Sequence, residues 1–128
     1  MRFQILYVSG QQDDARHLRQ MLHELPMAID HAESVEQARS KLRRRLVKAV
    51  LTEATLPDGN WLDVLKAADE SPGKPKVVVT DRQADARLWA EVLNLGGYDL
   101  LVRPFYEPEV RRILNNVCSR PERVKAAG

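Results

Sequence analysis

Residues 47–53 read Val-Lys-Ala-Val-Leu-Thr-Glu, an almost continuous apolar run that ends in a carboxylate. Two further runs, at residues 3–8 and 76–80, are built in the same way from aliphatic and β-branched side chains. Strands that are buried on both faces of a sheet have this composition. The three runs are therefore predicted to form the middle of a sheet, with Glu53 at the carboxyl end of its central strand.

Weaker runs at residues 27–31 and 98–102 bring the number of predicted strands to five, and amphipathic helical patterns separate them. Ser34 and Gln37 have the spacing of a capping box at the start of the second helix. Leu62 and Leu65 mark the inward face of the third helix, and Gly96 suits the C-terminus of the fourth. Strands that alternate with helices at this spacing predict an α/β fold with right-handed crossovers and a parallel sheet.

The composition fits one small domain. Of the 128 residues 44% are apolar, enough for a hydrophobic core, and the net charge of +2 is too small to indicate a nucleic acid or an acidic membrane as partner. A lone cysteine, Cys118, and the lack of a long apolar run favour a cytoplasmic protein. Residues 1–118 are assigned to the domain, and residues 119–128, which lack apolar periodicity, to a linker stub or frayed tail.

The carboxyl ends of four predicted strands carry residues that could form a functional site. In an open parallel sheet, ligands bind at this edge, near the point where the strand order reverses. Each of these residues taken alone could simply belong to a turn or a strand end. The prediction of a functional site therefore depends on their occurring together at four strand ends. The residues concerned are Ser9, Gly10, Glu53, Thr80, Arg103 and Pro104.

Residues 96–105, Gly-Gly-Tyr-Asp-Leu-Leu-Val-Arg-Pro-Phe, resemble the fifth strand of the receiver domains of two-component response regulators. That family has a Gly-Ala-x-x-aromatic-Leu-x-Lys-Pro-Phe pattern there. Further matches at residues 5–8, 53–57 and 77–80 follow in the family's order. The resemblance implies a doubly wound, flavodoxin-like (βα)5 sandwich of three layers, whose five parallel strands lie in the order 2-1-3-4-5.

The resemblance also implies a set of phosphoryl-transfer residues, most of which are replaced in this chain. Ser9 and Gly10 stand where the family has the acidic pair that binds a divalent cation, so neither bound magnesium nor another cofactor is expected. Glu53 stands at the position of the phosphoacceptor aspartate, and Arg103 at that of a lysine. Thr80 alone fits the family pattern.

Two further departures lie close to these positions. Leu100 takes the place of the family's switch aromatic, although Tyr98 lies two residues earlier on the same strand, and Asp81 takes the place of a small residue. Asp13 and Asp14 follow the first loop and could substitute for the missing acids. Their position at the start of a helix favours a role in stabilising the helix N-terminus instead.

Glu53 and Arg103 are predicted to form an ion pair. Glutamate is one methylene longer than aspartate, so its carboxylate should lie roughly where a phosphoryl group on aspartate begins, and a guanidinium presents a planar pair of donors to it. Thr80 could assist this pair, and Asp81 could compete for Arg103 or cap the fourth helix. The alternative is that both charged groups are solvated and separate.

The implied partners are proteins, namely a histidine kinase, an output domain or a second copy of the chain. Trp89 lies off the apolar stripe of the fourth helix, so it could be exposed beside Tyr98 and Leu100 on the face formed by the fourth helix, fifth strand and fifth helix. Receiver-like domains use this face for such contacts. The alternative is that Trp89 covers the edge of the core. The basic run at residues 43–45 is interpreted as a solvated helix end.

Three functions remain open at this point. The first is a degenerate receiver that is not an enzyme and signals through protein contacts without phosphorylation. The second is a working receiver that a histidine kinase phosphorylates at Glu53 or a nearby acid. The third is a flavin or other small-molecule binder, although the loop at residues 9–12 lacks the glycines that cradle a phosphate.

Overall fold

Five parallel strands form the central sheet of the computed structural model, which describes residues 2–119. The strands pair in the order β2-β1-β3-β6-β7, which confirms the predicted doubly wound topology. The strands of this sheet are β1 (Phe3–Val8), β2 (Met27–Ala32), β3 (Ala49–Glu53), β6 (Lys76–Asp81) and β7 (Asp99–Val102). A short antiparallel hairpin, β4 (Thr55–Leu56) and β5 (Gly59–Asn60), follows β3 and was not predicted.

Helices cover both faces of the sheet and create three layers. They are α1 (Gln12–Met21), α2 (Val35–Arg44), α3 (Trp61–Asp69), α4 (Ala86–Asn94) and α5 (Glu107–Cys118). Alternate residues of a strand point to opposite faces, so Ile5 and Tyr7 pack with α1 and α5, while Leu6 and Val8 pack with α2 and α3. Within residues 2–119, no helix is long and apolar enough to cross a membrane.

Side-chain caps determine where several helices begin. The Ser34 hydroxyl accepts a hydrogen bond from the backbone N–H of Gln37, as predicted, but the Gln37 side chain accepts from Glu33 rather than from Ser34. Asp58 provides a second cap for α2 from a distant loop, because its carboxylate accepts from the first two backbone N–H groups of this helix, at 2.8 and 3.1 Å. These bonds lower the pKa of Asp58.

The third helix faces the core differently from the prediction. It begins at Trp61, and its buried residues are Trp61, Val64, Ala67 and Ala68, whereas Leu62 is exposed and Leu65 is half-buried. Gly96 follows α4 with a φ of +109°, which suits glycine and agrees with its predicted position at the helix end. The predicted tail beyond residue 119 lies outside the described residues.

Candidate functional site

Four polar or charged residues from neighbouring strand ends meet at the carboxyl edge of the sheet. Ser9 follows β1, Glu53 ends β3, Thr80 lies in β6 and Arg103 follows β7. Ser9 and Thr80 have no exposed surface, and Glu53 and Arg103 are each only 9% exposed. A buried charge is costly unless it is paired, so the partners of these two ionisable groups decide the chemistry of the site.

Glu53 and Arg103 form a direct ion pair. The Nη1 atom of Arg103 donates to Oε2 of Glu53 at 2.7 Å, so the predicted contact is present. The two residues are 50 positions apart in sequence, and the sheet brings them together across β6. The guanidinium of Arg103 therefore lies directly beside the carboxylate at the end of the central strand.

Asp14 is a second acceptor for the same guanidinium nitrogen, at 3.2 Å from its Oδ2 atom. The sequence favours a role at the N-terminus of α1 for this residue, and its contact with Arg103 was not predicted. The adjacent Asp13 instead pairs with Arg16 in solvent.

The loop after β1 holds the Glu53 carboxylate from its other side. The Ser9 hydroxyl donates to Oε2 at 2.9 Å, and the backbone N–H of Gly10 donates to Oε1 at 3.4 Å. The carbonyl oxygen of Ser9 lies 2.7 Å from Nε2 of His31 on the neighbouring strand β2. Ser9 and Gly10, which the resemblance places at the positions of an acidic pair, therefore bind a carboxylate as uncharged hydrogen-bond donors.

Tyr7 forms the floor beneath this loop. Its ring stacks on His31 and contacts Phe105 edge to face, with both centroid distances at 5.9 Å. The residue has no exposed surface, and burial raises the pKa of Tyr7 to about 12. The phenol is therefore neutral at physiological pH, and it adds no charge to the site.

The predicted auxiliary contacts of Thr80 and Asp81 are absent. The Thr80 hydroxyl is buried and has no hydrogen-bond partner among the described residues, so it does not assist the pair. The Asp81 carboxylate accepts from the backbone N–H of Gln83, and it neither contacts Arg103 nor caps α4. Asp85 caps that helix instead by accepting from the N–H of Leu88.

A divalent cation does not fit the residues that form this site. Among residues 2–119, the carboxylates of Glu53 and Asp14 are the only two that contact Arg103, so the negative charge of the site is already paired with the guanidinium. No group of three or more potential ligands from His, Cys, Asp and Glu occurs in the described part of the chain. A cation here would have to displace the guanidinium, since Ser9 and Gly10 offer no negative charge.

The predicted switch and interface residues lie on an adjacent surface. Leu100 is half-buried against the cluster of Trp61, Val79 and Val92, whereas Tyr98 is exposed just before β7. Trp89 is 49% exposed, and its indole N–H donates to Asp99 at 3.3 Å. Trp89 therefore does not close the core edge, which was the alternative considered for it.

Pro104, predicted to line the pocket, is exposed after a cis peptide bond.

Comparison with known proteins identifies the family of this chain. The model of the response regulator receiver domain matches residues 5–115, and the chain belongs to this family of two-component signalling domains. Chemotaxis protein CheY of Thermotoga maritima is 24% identical over 110 residues, which cover 82% of this chain and 92% of CheY. The transcriptional regulatory protein CitB of Klebsiella pneumoniae is 27% identical over 86 residues, which cover 67% of this chain but 37% of CitB.

Solved structures agree on the fold. A response regulator from Chloroflexus aurantiacus superposes with a TM-score of 0.84 at 21% identity, and the match covers 94% of this chain and all of that one (100%). The receiver domain of a sensor histidine kinase from Pseudomonas aeruginosa, whose structure has magnesium coordinated in its active-site cleft, gives a TM-score of 0.79 at 20% identity over 93% of this chain and 100% of its own. At these identities the likeness concerns the fold alone.

Proposed function

We propose that this chain is a receiver-type module that signals without phosphorylation. It is a non-enzymatic, cytoplasmic component of a two-component system that acts through protein contacts. The observation that carries this proposal is the buried Glu53–Arg103 ion pair, at 2.7 Å. The guanidinium supplies a permanent positive charge where the family recruits a metal and a lysine to a phosphoryl group.

The charges of the site support this proposal in a specific way. Phosphoryl transfer depends on cations that neutralise the oxygens of the transferred group, and on a carboxylate free to attack. Glu53 accepts from Arg103, Ser9 and Gly10 at once, so its oxygens are already engaged. A phosphodonor approaching this edge meets the carboxylates of Glu53 and Asp14 without a metal-binding acid pair.

The face for protein partners lies beside the site, on α4, β7 and α5. Its exposed apolar side chains are Trp89, Leu93, Tyr98, Val102 and Tyr106. A group of large apolar and aromatic side chains in solvent is typical of an interaction surface. We assign to it a histidine kinase, an output domain or a second copy of the chain as partners, and we assign no nucleic acid or membrane.

A mass measurement tests the absence of phosphorylation. The protein is incubated with magnesium and acetyl phosphate, and its intact mass is recorded before and after. We expect no adduct, because Glu53 is bound by Arg103. The matched control carries Ser9→Asp, Gly10→Asp, Glu53→Asp and Arg103→Lys, which restore the family residues, and it should gain one phosphoryl group that requires magnesium.

A stoichiometric adduct on the unaltered protein would contradict the proposal and favour the working receiver. In that case, peptide mapping of the adduct would identify the acceptor. An adduct on Glu53 would show that the Arg103 pair opens in solution. An adduct on another acid would show that a residue other than Glu53 is the phosphoacceptor.

A further inference from the structure

A cleft at the amino edge of the sheet, opposite the candidate site, combines exposed apolar side chains with a cationic rim. Its volume is about 290 Å³, and it is lined by residues 2–4, residues 46–48 and Gly73. These segments are the start of β1, the connection from α2 to β3, and the turn before β6. Nothing in the family chemistry described above uses this edge.

Two exposed apolar side chains line the cleft. Leu46 is 71% exposed and Phe3 is 37% exposed, while the intervening Val47 is buried. A single exposed leucine is ordinary on a protein surface, but two large apolar groups at the same concave site favour an occupant that covers them.

The rim of the cleft is positively charged. Arg2 and Lys48 line it, and the lining includes no acidic residue. The Lys48 ammonium lies 6.0 Å from the centre of the Phe3 ring, so charge and apolar surface are contiguous. Lys76 starts the adjacent strand and is exposed. Within residues 2–119, no carboxylate forms an ion pair with these three cations.

Helix stabilisation explains only part of this arrangement. The helices of an α/β sandwich end at the amino edge of the sheet, where cations complement the partial negative charge of the helix C-termini. That effect accounts for the basic residues 43–45 at the end of α2. It does not account for the exposed apolar side chains of Phe3 and Leu46 among the cations, which point to a ligand that is both anionic and apolar.

The shape of the cleft is fixed by a close backbone contact. A Cβ atom on Gly73 would lie 2.8 Å from the carbonyl oxygen of Val47, a distance that real Cβ atoms do not reach. The turn at Gly73 therefore packs directly on the segment at residues 46–48, and the two walls hold their positions relative to each other. A preformed cleft binds its ligand with less loss of conformational entropy than a mobile loop does.

We propose that this cleft docks an acidic segment of another protein, anchored by one apolar side chain. Charge complementarity selects an anionic partner, and the exposed apolar side chains of Phe3 and Leu46 favour a peptide, since a nucleic acid backbone offers no aliphatic side chain. The chain's own residues 120–128 are excluded by charge, because they contain three basic residues and one glutamate.

Fluorescence polarisation with a synthetic probe tests this assignment. The probe is a fluorescein-labelled peptide of glutamates that flank a single leucine. We expect salt-sensitive binding that weakens about tenfold in Lys48→Glu, because a like charge then faces the peptide. Leu46→Ser, at a largely exposed position, should weaken binding without affecting folding. Arg87→Glu, an exposed charge on α4, is the matched control and should bind as the unaltered protein does.

Backbone amide NMR shifts of the labelled protein locate the peptide, and we expect the changes at residues 2–4 and 46–48 and at Gly73. A probe with serine in place of leucine should lose most of its affinity. The proposal would be overturned if Lys48→Glu bound the peptide as tightly as the unaltered protein, or if the serine probe bound as tightly as the leucine probe. Chemical-shift changes at the carboxyl edge of the sheet would overturn it as well. So would tighter binding of duplex DNA, or concentration-dependent self-association that Lys48→Glu abolishes, since these outcomes identify a nucleic acid or a second copy as the occupant.

Discussion

Replacing Arg103 by methionine should destabilise the protein strongly, because it leaves the buried Glu53 carboxylate without its cation. Removal of one partner from a buried ion pair costs about 3–5 kcal/mol. Glu53 would keep its hydrogen bonds from Ser9 and Gly10, so we expect the lower end, about 3 kcal/mol. For a domain of this size that corresponds to a fall of about 10 °C in melting temperature.

A double-mutant cycle separates the pair from its surroundings. Glu53→Gln removes the charge and keeps the shape, so the double variant with Arg103→Met should lose less stability than the sum of the two single variants by about 2 kcal/mol. The assay is urea unfolding followed by circular dichroism, with the free energy of unfolding taken from the linear extrapolation.

The chain offers a matched control of the same chemistry. Arg111 pairs with Glu107 on α5 at 2.8 Å, almost the same distance, but this pair is solvent-exposed. Arg111→Met should therefore change the free energy of unfolding by about 0.5 kcal/mol or less. If Arg103→Met costs no more than Arg111→Met, or if the cycle shows no coupling, then the carboxylate and guanidinium are independent in solution and our account of the site fails.

Three further predictions concern residues around the site and the core. Asp58→Asn should remove part of the acid sensitivity of folding. Because the pKa of Asp58 is lowered in the folded protein, the carboxylate contributes its full stabilisation above pH 3.8 and loses it as the pH falls below that value. Unfolding curves at a series of acid pH values would measure the difference. Tyr7 should ionise near pH 12, and its neutral form should stabilise the fold up to pH 10 and lose that contribution as the pH rises towards 12. In Tyr7→Phe the step near pH 12 in the tyrosinate absorbance should be missing. Gly97→Ala should cost about 2 kcal/mol in thermal unfolding, because its Cβ would overlap the Val92 side chain, and an unchanged melting temperature would show that α4 shifts freely.

The sheet was predictable because burial on both faces leaves an unambiguous pattern. The strands β1, β3 and β6 each contain at least three consecutive apolar residues, and their order agrees with the prediction. The hairpin of β4 and β5 was not predictable in this way, since two-residue strands are too short to show any periodicity.

The third helix shows a different limit of sequence patterns. Leucine at position 62 looks like a core residue, yet the capping box of Asn60 and Asp63 starts the helix at Trp61, which is itself buried. The buried stripe then runs through Trp61, Val64 and Ala68, at helical spacing, and Leu62 lies off it. Two stripes of similar hydrophobicity compete in this helix, so hydrophobicity alone was not sufficient to predict which one is buried.

At the site, opposite charges at the carboxyl ends of two strands on either side of β6 made the Glu53–Arg103 contact predictable, but the role of Asp14 was not predictable. Asp13 and Asp14 are identical side chains in the first turn of α1, and both suit a helix N-terminus. Only the docking of α1 on the sheet turns Asp14 towards Arg103 and leaves Asp13 beside Arg16. Tertiary contacts of this kind leave no signal in the spacing of the residues.

A receiver that depends on phosphorylation changes state because the charge of its acceptor site changes. In this chain, the guanidinium of Arg103 is already bonded to Glu53 and Asp14, and under the proposed function no phosphoryl group changes the charge of the site. An equilibrium between two conformations can then shift only through a ligand that binds one of them more tightly. Under the function proposed above, control of this module would therefore lie with the concentration and affinity of its partners, at the α4–β7–α5 face and at the basic cleft.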